Sequence, residues 1–474
     1  MIFSSVLFTF VFLPAVLLIY YGLGFLKLEY RNLILLIASL VFYAFGEPMA
    51  IWLMIGSICV NYFVGILISS QNNKLKKRII LIVDIIINIS ILFVFKYLCY
   101  TIGIVKKFIP LPFERPEIAL PIGISFFTFQ AMSYVIDVYR EDVPAEKNIL
   151  NVGLYISFFP QLVAGPIVRY NTVAEQIRKR FVNLEKFGYG AKRFMCGFCK
   201  KIIIANNVAL IADYAFKCED LYKIPISTAW IGSIAFSLQI FFDFSGYSDM
   251  AIGLGKMFGF DFSENFNYPY ISKTITEFWR RWHISLSQWF RDYVYFPLGG
   301  SRVSVNRHII NLFIVWALTG LWHGANVTFV AWGLMYFVIL VFEKYVLRPD
   351  EKKCYIRIVY QIITLFIVNA GWVLFNIESF SEATLYFKSM FGLFGNSLYN
   401  DQTIRLVREY GFFFVIGLVF STPIIPTINS KFSNKPKCQM IIGVVEPILY
   451  VFVFLWAVSY LILGAHNPFI YFNF

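Results

Sequence analysis

Charged residues are scarce in this sequence, and their scarcity argues against an ordinary soluble fold. Asp, Glu, Lys and Arg make up 15% of the 474 residues, whereas a soluble domain carries about 25%. Hydrophobic residues make up 59%, and no long polar block interrupts them. Runs such as residues 2–26 and 50–68 reach the roughly 20 apolar residues that a membrane-spanning helix needs. We therefore expect a single all-α transmembrane bundle over residues 1–474, with roughly ten to twelve spans.

The sequence also lacks the features of a metal centre or a nucleic-acid-binding protein. Its 7 cysteines are scattered, and the pair Cys196 and Cys199 has neither a second pair nor a nearby histidine to complete a zinc site. The net charge of +13 lies in short loops between apolar runs, which is the positive-inside pattern of membrane proteins. We expect contact with membrane lipids, no metal and no nucleic-acid partner.

Residues 155–170, YISFFPQLVAGPIVRY, are apolar but too short and too broken for an ordinary span. Pro160, Gly165 and Pro166 interrupt the run. Non-helical backbone at membrane depth is tolerated where protein or a cavity satisfies its polar groups, so a re-entrant segment is expected here. A proline-kinked packing segment is the alternative.

A histidine stands within the apolar run of residues 309–346. This run lies between the cation-rich stretch 259–308, assigned to the cytoplasmic side, and a second basic stretch at 348–357. Basic segments at both ends require an even number of crossings, so we predict a helical hairpin. Its turn is expected in TGLWHGAN, which places His323 near the turn and within the membrane protein.

His323 is a candidate functional residue because an ionisable side chain at membrane depth is costly. A histidine that is hydrogen-bonded between helices is the alternative. Burial disfavours the charged ring, and a neutral imidazole can accept a proton from a hydroxyl nucleophile. The adjacent Gly320 and Gly324 provide room either for a substrate or for close helix packing.

Residues 273–302 are predicted to form an amphipathic helix at the membrane interface. An aromatic and aliphatic stripe recurs at three- and four-residue spacing, and it contains Ile275, Phe278, Trp282, Leu286, Trp289 and Tyr293. The opposite, polar face contains Thr276, Arg280, His283, Ser287 and Arg291. The pattern alone favours a plain anchor whose arginines face lipid phosphates. The functional alternative is an anion site in which guanidinium groups hold the phosphates of a cytosolic substrate.

Two carboxylates, Asp243 and Asp249, lie in another apolar stretch, FFDFSGYSDMAIGLG. Buried carboxylates need partners. We expect them to pair with arginines or hydroxyl groups and to fix the positions of helices.

Five segments of this chain resemble the membrane-bound O-acyltransferase (MBOAT) family, and in particular its branch for bacterial alginate O-acetylation. These segments are LPIGISFFTFQAMSYVIDVYR, SFFPQLVAGPIVRY, FDFSGYSDMAIGLGKMFGF, NFNYPYISKTITEFWRRWHISLSQWFRDYVYFPLGGSR and GLWHGA. The resemblance implies a multi-helix acyltransferase with a histidine in a central tunnel. It assigns His323 to the family's essential histidine and His283 to its second conserved polar position.

From this resemblance we expect an acetyl group to move from a cytosolic thioester, acetyl-CoA, toward an extracytoplasmic polysaccharide. Related branches acetylate alginate, other exopolysaccharides or peptidoglycan, or move D-alanine onto teichoic acids, and a secreted or tethered partner acyltransferase is expected. His323 acts either as a general base or as a transient acyl carrier. The residues expected to bind the donor or line its path are Arg280, Arg281, Arg291, Trp322 and Asn326.

The expected location is the bacterial cytoplasmic membrane, and no bound cofactor is expected. Two alternatives remain at this stage. A polysaccharide or small-molecule transporter would use His323 and the buried aspartates as a proton or substrate relay. A scaffold for an envelope assembly would tolerate the loss of both histidines.

Overall fold

The computed structural model describes residues 1–109, 116, 118–218, 220–348, 354–432, 435–464, 466–468 and 470. The protein is 76% helix, and the described residues contain no strand. The all-α prediction is therefore confirmed. Residues 349–353 of the basic stretch predicted at 348–357 lie outside the described residues.

The described residues group into two compact units, each built from several segments of the chain. The first unit consists of Met1–Phe194, Met250–Ser263 and Gln288–Val294, and the second consists of Met195–Asp249, Glu264–Ser287 and Tyr295–Phe474. That the chain functions as one domain stays a prediction.

The helices are numbered in chain order. The helices up to the middle of the chain are α1 Leu13–Gly22, α2 Leu28–Gly46, α3 Ala50–Ser70, α4 Lys74–Leu92, α5 Leu98–Val105, α6 Ile124–Tyr139, α7 Ile149–Ser157, α8 Phe159–Leu162, α9 Tyr170–Arg178, α10 Leu184–Cys199 and α11 Asn206–Phe216. The remaining helices are α12 Ile226–Met257, α13 Ile275–Arg281, α14 Ile284–Phe290, α15 Val305–His323, α16 Val327–Phe342, α17 Cys354–Asn376, α18 Phe380–Met390, α19 Asp401–Phe420, α20 Ile424–Phe432 and α21 Pro436–Ile462.

Eight helices of the described chain are long and apolar enough to cross a membrane, or nine if α19 and α20, which meet at a 59° bend, form one broken span. The eight are Leu28–Gly46, Ala50–Ser70, Lys74–Val105, Leu184–Phe216, Ile226–Met257, Val327–Leu347, Ile356–Asn376 and Gln439–Ile462. The first run counted as a span in the sequence corresponds to a shorter apolar helix, Phe8–Gly22. A multi-pass membrane protein is confirmed, and the total of ten to twelve spans stays a prediction.

In the first unit, Arg180 joins three chain segments by hydrogen bonds. Its guanidinium donates to the side-chain oxygen of Asn32 (2.6 Å), the carbonyl oxygen of Phe258 (3.0 Å) and the hydroxyl of Tyr20 (3.1 Å). The broken segment at 155–170 lies in the same unit: α7 ends at Ser157, the short α8 follows, and the chain runs without regular structure to α9. These residues are almost all buried, so their backbone polar groups need hydrogen-bond partners within the protein. Whether the segment is re-entrant stays a prediction.

In the second unit, two ion pairs connect α12 to the π-helical turn Lys200–Ala205. The ammonium of Lys201 lies 2.6 Å from the carboxylate of Asp243, and that of Lys200 lies 2.6 Å from Asp249. The aspartates therefore have charged partners, as predicted. The charged partners seen here are lysines of that turn, whereas arginines or hydroxyl groups were expected.

Candidate active site

The hairpin predicted around His323 is present in the second unit. α15 ends at His323 and α16 begins at Val327, with Asn326 as the N-cap residue. The two helices approach closely because small residues face each other: a Cβ atom on Gly320 would lie 2.6 Å from the carbonyl oxygen of Phe329. A side chain at Gly324 would collide with the Phe329 ring at the same distance. Of the two roles left open for these glycines, the structure supports helix packing.

His323 is buried among aromatic rings. The residue is 8% exposed to solvent. The indole of Trp332 and the ring of Phe375 lie 5.2 Å and 5.1 Å from the imidazole centroid, each nearly perpendicular to it. Trp322, the preceding residue, lies 4.9 Å away. This edge-to-face packing restricts the orientation of the ring and excludes bulk water from it.

The helix predicted over 273–302 is interrupted at His283, so the prediction of one continuous amphipathic helix was wrong. α13 ends at Arg281 and α14 begins at Ile284. His283 lies between them with φ of 43°, a left-handed conformation that costs a residue other than glycine about 1 to 3 kcal/mol. The stripe residues Phe278, Trp282 and Trp289 are buried in protein. They therefore do not lie among lipid headgroups, as a surface anchor would require.

The break turns His283 into the protein interior, where the residue is 2% exposed. Its Nδ1 lies 3.1 Å from the side-chain oxygen of Asn265. Burial lowers the pKa of His283 from 6.5 to about 3, so the ring is neutral at physiological pH. Phe244 packs edge-on against the imidazole, with ring centroids 4.7 Å apart.

Trp322 connects the two histidines. Its indole centroid lies 6.0 Å from the ring of His283 and 4.9 Å from that of His323. Both imidazoles therefore border the same buried side chain within one unit. That Trp322 lines the path of a substrate stays a prediction.

Asn326 is the N-cap residue of α16, and its expected place on the donor path stays a prediction. Its side-chain oxygen accepts a hydrogen bond from the backbone N–H of Thr328 (3.3 Å), and its amide donates to the carbonyl oxygen of Glu378 (2.9 Å). These contacts cap α16 and join the hairpin turn to the segment that follows α17. They are structural contacts of the kind that Asn makes at helix N-termini.

The three arginines expected to bind the donor differ in their ion-pair partners. Arg281 is held by Glu277, whose carboxylate lies 2.8 Å from the guanidinium. Arg291 belongs to the first unit, where its Nε lies 2.9 Å from the carboxylate of Asp292. Arg280 is exposed and forms no ion pair within the described part of the chain. Arg280 therefore has its charge available for a ligand.

The helix that carries Arg280 is held by a residue that sequence reasoning missed. The buried carboxylate of Glu343 accepts hydrogen bonds from the backbone N–H groups of Ile275 and Thr276, both at 2.8 Å, and from the hydroxyl of Tyr360 at 2.9 Å. A carboxylate at a helix N-terminus satisfies free N–H groups and complements the helix dipole. Nothing in the local sequence connects Glu343 to residues almost 70 positions earlier.

This arrangement is suited to proton transfer in a water-poor site. Two imidazoles, one of them neutral by virtue of its burial, lie beside one tryptophan in an aromatic environment. A neutral imidazole can remove a proton from a hydroxyl group as that group attacks a carbonyl carbon. The low local polarity strengthens any hydrogen bond to the charge that develops.

Comparisons with known proteins agree with this chemistry. Residues 140–377 match the model of the MBOAT, membrane-bound O-acyltransferase, family. The chain is 42% identical over 432 residues to the probable alginate O-acetylase AlgI of Pseudomonas syringae pv. tomato, covering 88% of this chain and 82% of that protein. It is 36% identical over 429 residues to the peptidoglycan O-acetyltransferase of Helicobacter pylori, covering 84% and 81%. It is 31% identical over 297 residues to the teichoic acid D-alanyltransferase of Bacillus subtilis, covering 57% and 72%. The chain belongs to the membrane-bound O-acyltransferase family and is an O-acyltransferase.

Proposed function

We propose that this membrane O-acyltransferase moves an acetyl group from cytosolic acetyl-CoA toward hydroxyl groups of an extracytoplasmic polysaccharide. The observation that carries the proposal is the position of His323. It is a buried imidazole at the end of α15, enclosed by Trp322, Trp332 and Phe375, in the part of the chain that matches the acyltransferase family. An ionisable ring at membrane depth is a functional-site candidate because its burial is costly.

In this proposal His323 is the general base. A ring nitrogen takes the proton of the attacking hydroxyl while its oxygen bonds to the thioester carbonyl carbon. The tetrahedral intermediate then collapses, the carbon–sulfur bond breaks, and the imidazolium returns the proton to the leaving thiolate. General-base assistance of this kind contributes roughly 10²–10⁴-fold to the rate.

The proposed donor contact is Arg280. A CoA molecule carries phosphate groups, and guanidinium is well suited to bind phosphate. Arg280 is the arginine of the expected set whose charge is not already held by a carboxylate, since Arg281 and Arg291 are paired with Glu277 and Asp292. We assign a supporting role to the latter two.

The proposed acceptor is a glycan of the cell envelope. The names of the relatives support this class, because two of them are called alginate O-acetylase and peptidoglycan O-acetyltransferase. In the same proposal the protein lies in the bacterial cytoplasmic membrane. A secreted or membrane-tethered partner acyltransferase completes the transfer to sugar.

The transporter alternative has less support. It needs ionisable residues that can change their protonation or bind a substrate. Asp243 and Asp249, which it would use, are instead held in ion pairs by Lys201 and Lys200. Paired carboxylates of this kind fix the positions of helices.

The two functions are separated by one experiment in cells. His323→Ala is expressed to the same membrane level as the wild-type protein, and acetyl esters and exported glycan are measured separately. The proposal expects acetyl esters to be lost while glycan export continues. Unchanged acetyl ester would reject the enzyme, and lost export would favour the transporter.

A further inference from the structure

Asn265 is buried beside the break between α13 and α14, and backbone hydrogen bonds join its segment to the residues around that break. The carbonyl oxygen of Asn265 accepts a hydrogen bond from the N–H of Ile284 (2.9 Å). Two residues on, the N–H of Asn267 donates to the carbonyl oxygen of Arg281 (2.9 Å). These bonds hold the segment around Asn265 against the chain on both sides of His283.

The orientation of the Asn265 amide follows from its neighbours. The backbone nitrogen of Ser285 lies 3.2 Å from the Asn265 side-chain atom that also contacts His283, and its N–H points at that atom. A backbone N–H can only donate, so this atom must be the carbonyl oxygen of the amide and not its nitrogen. The hydroxyl of Ser285 donates to the same oxygen at 2.9 Å.

The orientation of the amide determines the tautomer of His283. Because the Asn265 oxygen can only accept, the Nδ1 atom 3.1 Å away must carry the proton. In a neutral ring the proton on Nδ1 leaves a lone pair on Nε2. That Nε2 atom is buried and has no hydrogen-bond partner within the described residues.

The remaining surroundings of His283 do not compete with this arrangement. The ring contacts are to Phe244, Phe266 and Trp322, which are uncharged. The left-handed backbone at His283 further restricts where the side chain can point. An unsatisfied buried acceptor is costly, and a substrate that donates a hydrogen bond would relieve this cost.

We propose that Asn265 is a positioning residue that holds His283 in its Nδ1–H tautomer, so that Nε2 accepts a hydrogen bond from an O–H or N–H group of the substrate. This inference rests on the proposed function and extends it. In the resting enzyme His283 is therefore not a donor to the thioester oxyanion. It orients the substrate through an O–H or N–H group other than the attacking hydroxyl, whose single proton goes to His323.

The tautomer can be measured directly by nitrogen NMR of the full-length protein, purified in detergent with labelled histidine. The chain contains only 4 histidines, and His283→Gln identifies the signal of this ring. We expect a protonated Nδ1 and an unprotonated Nε2 in the wild-type protein. A protonated Nε2 on His283 would overturn the proposal, and this readout is made on the wild-type protein, with the variant used only to assign the signal.

Activity measurements test the role of Asn265 itself, with Asn267 as a matched control. Asn267 is exposed, and its side chain makes no hydrogen bond within the described residues. With acetyl-CoA as donor, Asn265→Ala is expected to lower kcat at least about tenfold, since a histidine in the wrong tautomer is a poor catalytic group. Its KM for acetyl-CoA should change little, whereas Asn267→Ala should resemble the wild-type protein in both constants.

A conservative variant separates positioning from simple destabilisation. Asn265→Asp keeps an oxygen acceptor opposite Nδ1, so it is expected to retain the Nδ1–H tautomer and to recover part of the kcat that Asn265→Ala loses. Equal kcat values for Asn265→Ala and Asn267→Ala would overturn the proposal. The proposed function has a separate test: it fails if His323→Ala keeps its acetyl-transfer activity. The NMR result does not depend on acyl transfer, so the two failures can be distinguished.

Discussion

The imidazole of His323 lies edge-on to the indole of Trp332, with ring centroids 5.2 Å apart and planes at 82°. This contact predicts that Trp332→Phe reduces kcat several-fold, because a smaller ring leaves the imidazole freer to turn. Trp316→Phe is the control: Trp316 also packs against Trp332 but has no ring contact with His323 among those described. Both variants should lose similar stability, measured as Tm in detergent. A similar kcat for the two would contradict the assigned role of Trp332.

Glu343 is predicted to set the position of Arg280 through the N-terminus of α13. Glu343→Gln removes the charge and leaves one of the two backbone N–H groups facing an amide nitrogen, which should cost about 1 to 3 kcal/mol of unfolding free energy. The exposed Glu382, in the first turn of α18, offers the control Glu382→Gln. Thermal unfolding should shift for Glu343→Gln only, and equal shifts would reject the role of this cap.

Arg280 is predicted to bind the donor. Arg280→Ala should raise the apparent KM for acetyl-CoA several-fold with little change in Tm, because the side chain is exposed and supports no other residue. Arg307→Ala, another exposed arginine at the start of α15, is the control for general charge effects. An unchanged KM for Arg280→Ala, or an equal rise for Arg307→Ala, would exclude a specific phosphate contact at Arg280.

The buried pair of Lys201 and Asp243 is predicted to be far more sensitive than an exposed pair. The two side chains are 1% and 3% exposed, so Lys201→Met should cost about 3 to 5 kcal/mol by leaving a buried carboxylate without its counter-ion. Lys217→Met, which breaks an exposed pair with Asp213, should cost about 0 to 1 kcal/mol. Unfolding of both variants in detergent checks this difference, and equal costs would contradict it.

The depressed pKa of His283 predicts a pH-dependent stability. The value falls from 6.5 in the unfolded chain to about 3 in the folded protein. Between these two values the unfolded chain binds a proton that the folded protein does not. The unfolding free energy should therefore decrease as the pH falls through this range, by up to about 1.4 kcal/mol per pH unit.

His283→Gln removes this titration and provides the comparison. The difference in Tm between wild-type protein and His283→Gln should depend on pH below about 6.5 and become constant above it. A difference that stays constant down to about pH 4 would mean that the ring is not held neutral by burial.

The helical hairpin could be predicted from the sequence because its signals are local. Two basic stretches bound an apolar run, and glycines and an asparagine interrupt that run near its centre. His323 was placed near the turn for the same reason. The set of aromatic rings around it could not be predicted, since Phe375 belongs to α17 and is brought to His323 only by tertiary packing.

The break at His283 could not be predicted because the hydrophobic period continues through it. Ile275 to Tyr293 keeps helical spacing, and the sequence has neither proline nor glycine at residues 282 and 283. The contacts that stabilise the break come from Asn265, which lies 18 residues earlier. The lysine partners of Asp243 and Asp249 were missed for a similar reason, because pairing across two helices leaves no local pattern.

The central claim, that the His323 imidazole transfers the proton in acetyl transfer, is tested most directly with purified protein in liposomes. Acceptor-dependent release of thiol from acetyl-CoA is compared for the wild-type protein, His323→Ala and the control His466→Ala, whose side chain is 38% exposed at the protein surface. The account predicts that thiol release is lost in His323→Ala and kept in His466→Ala, with equal amounts of folded protein. Thiol release by His323→Ala at the wild-type rate would contradict it.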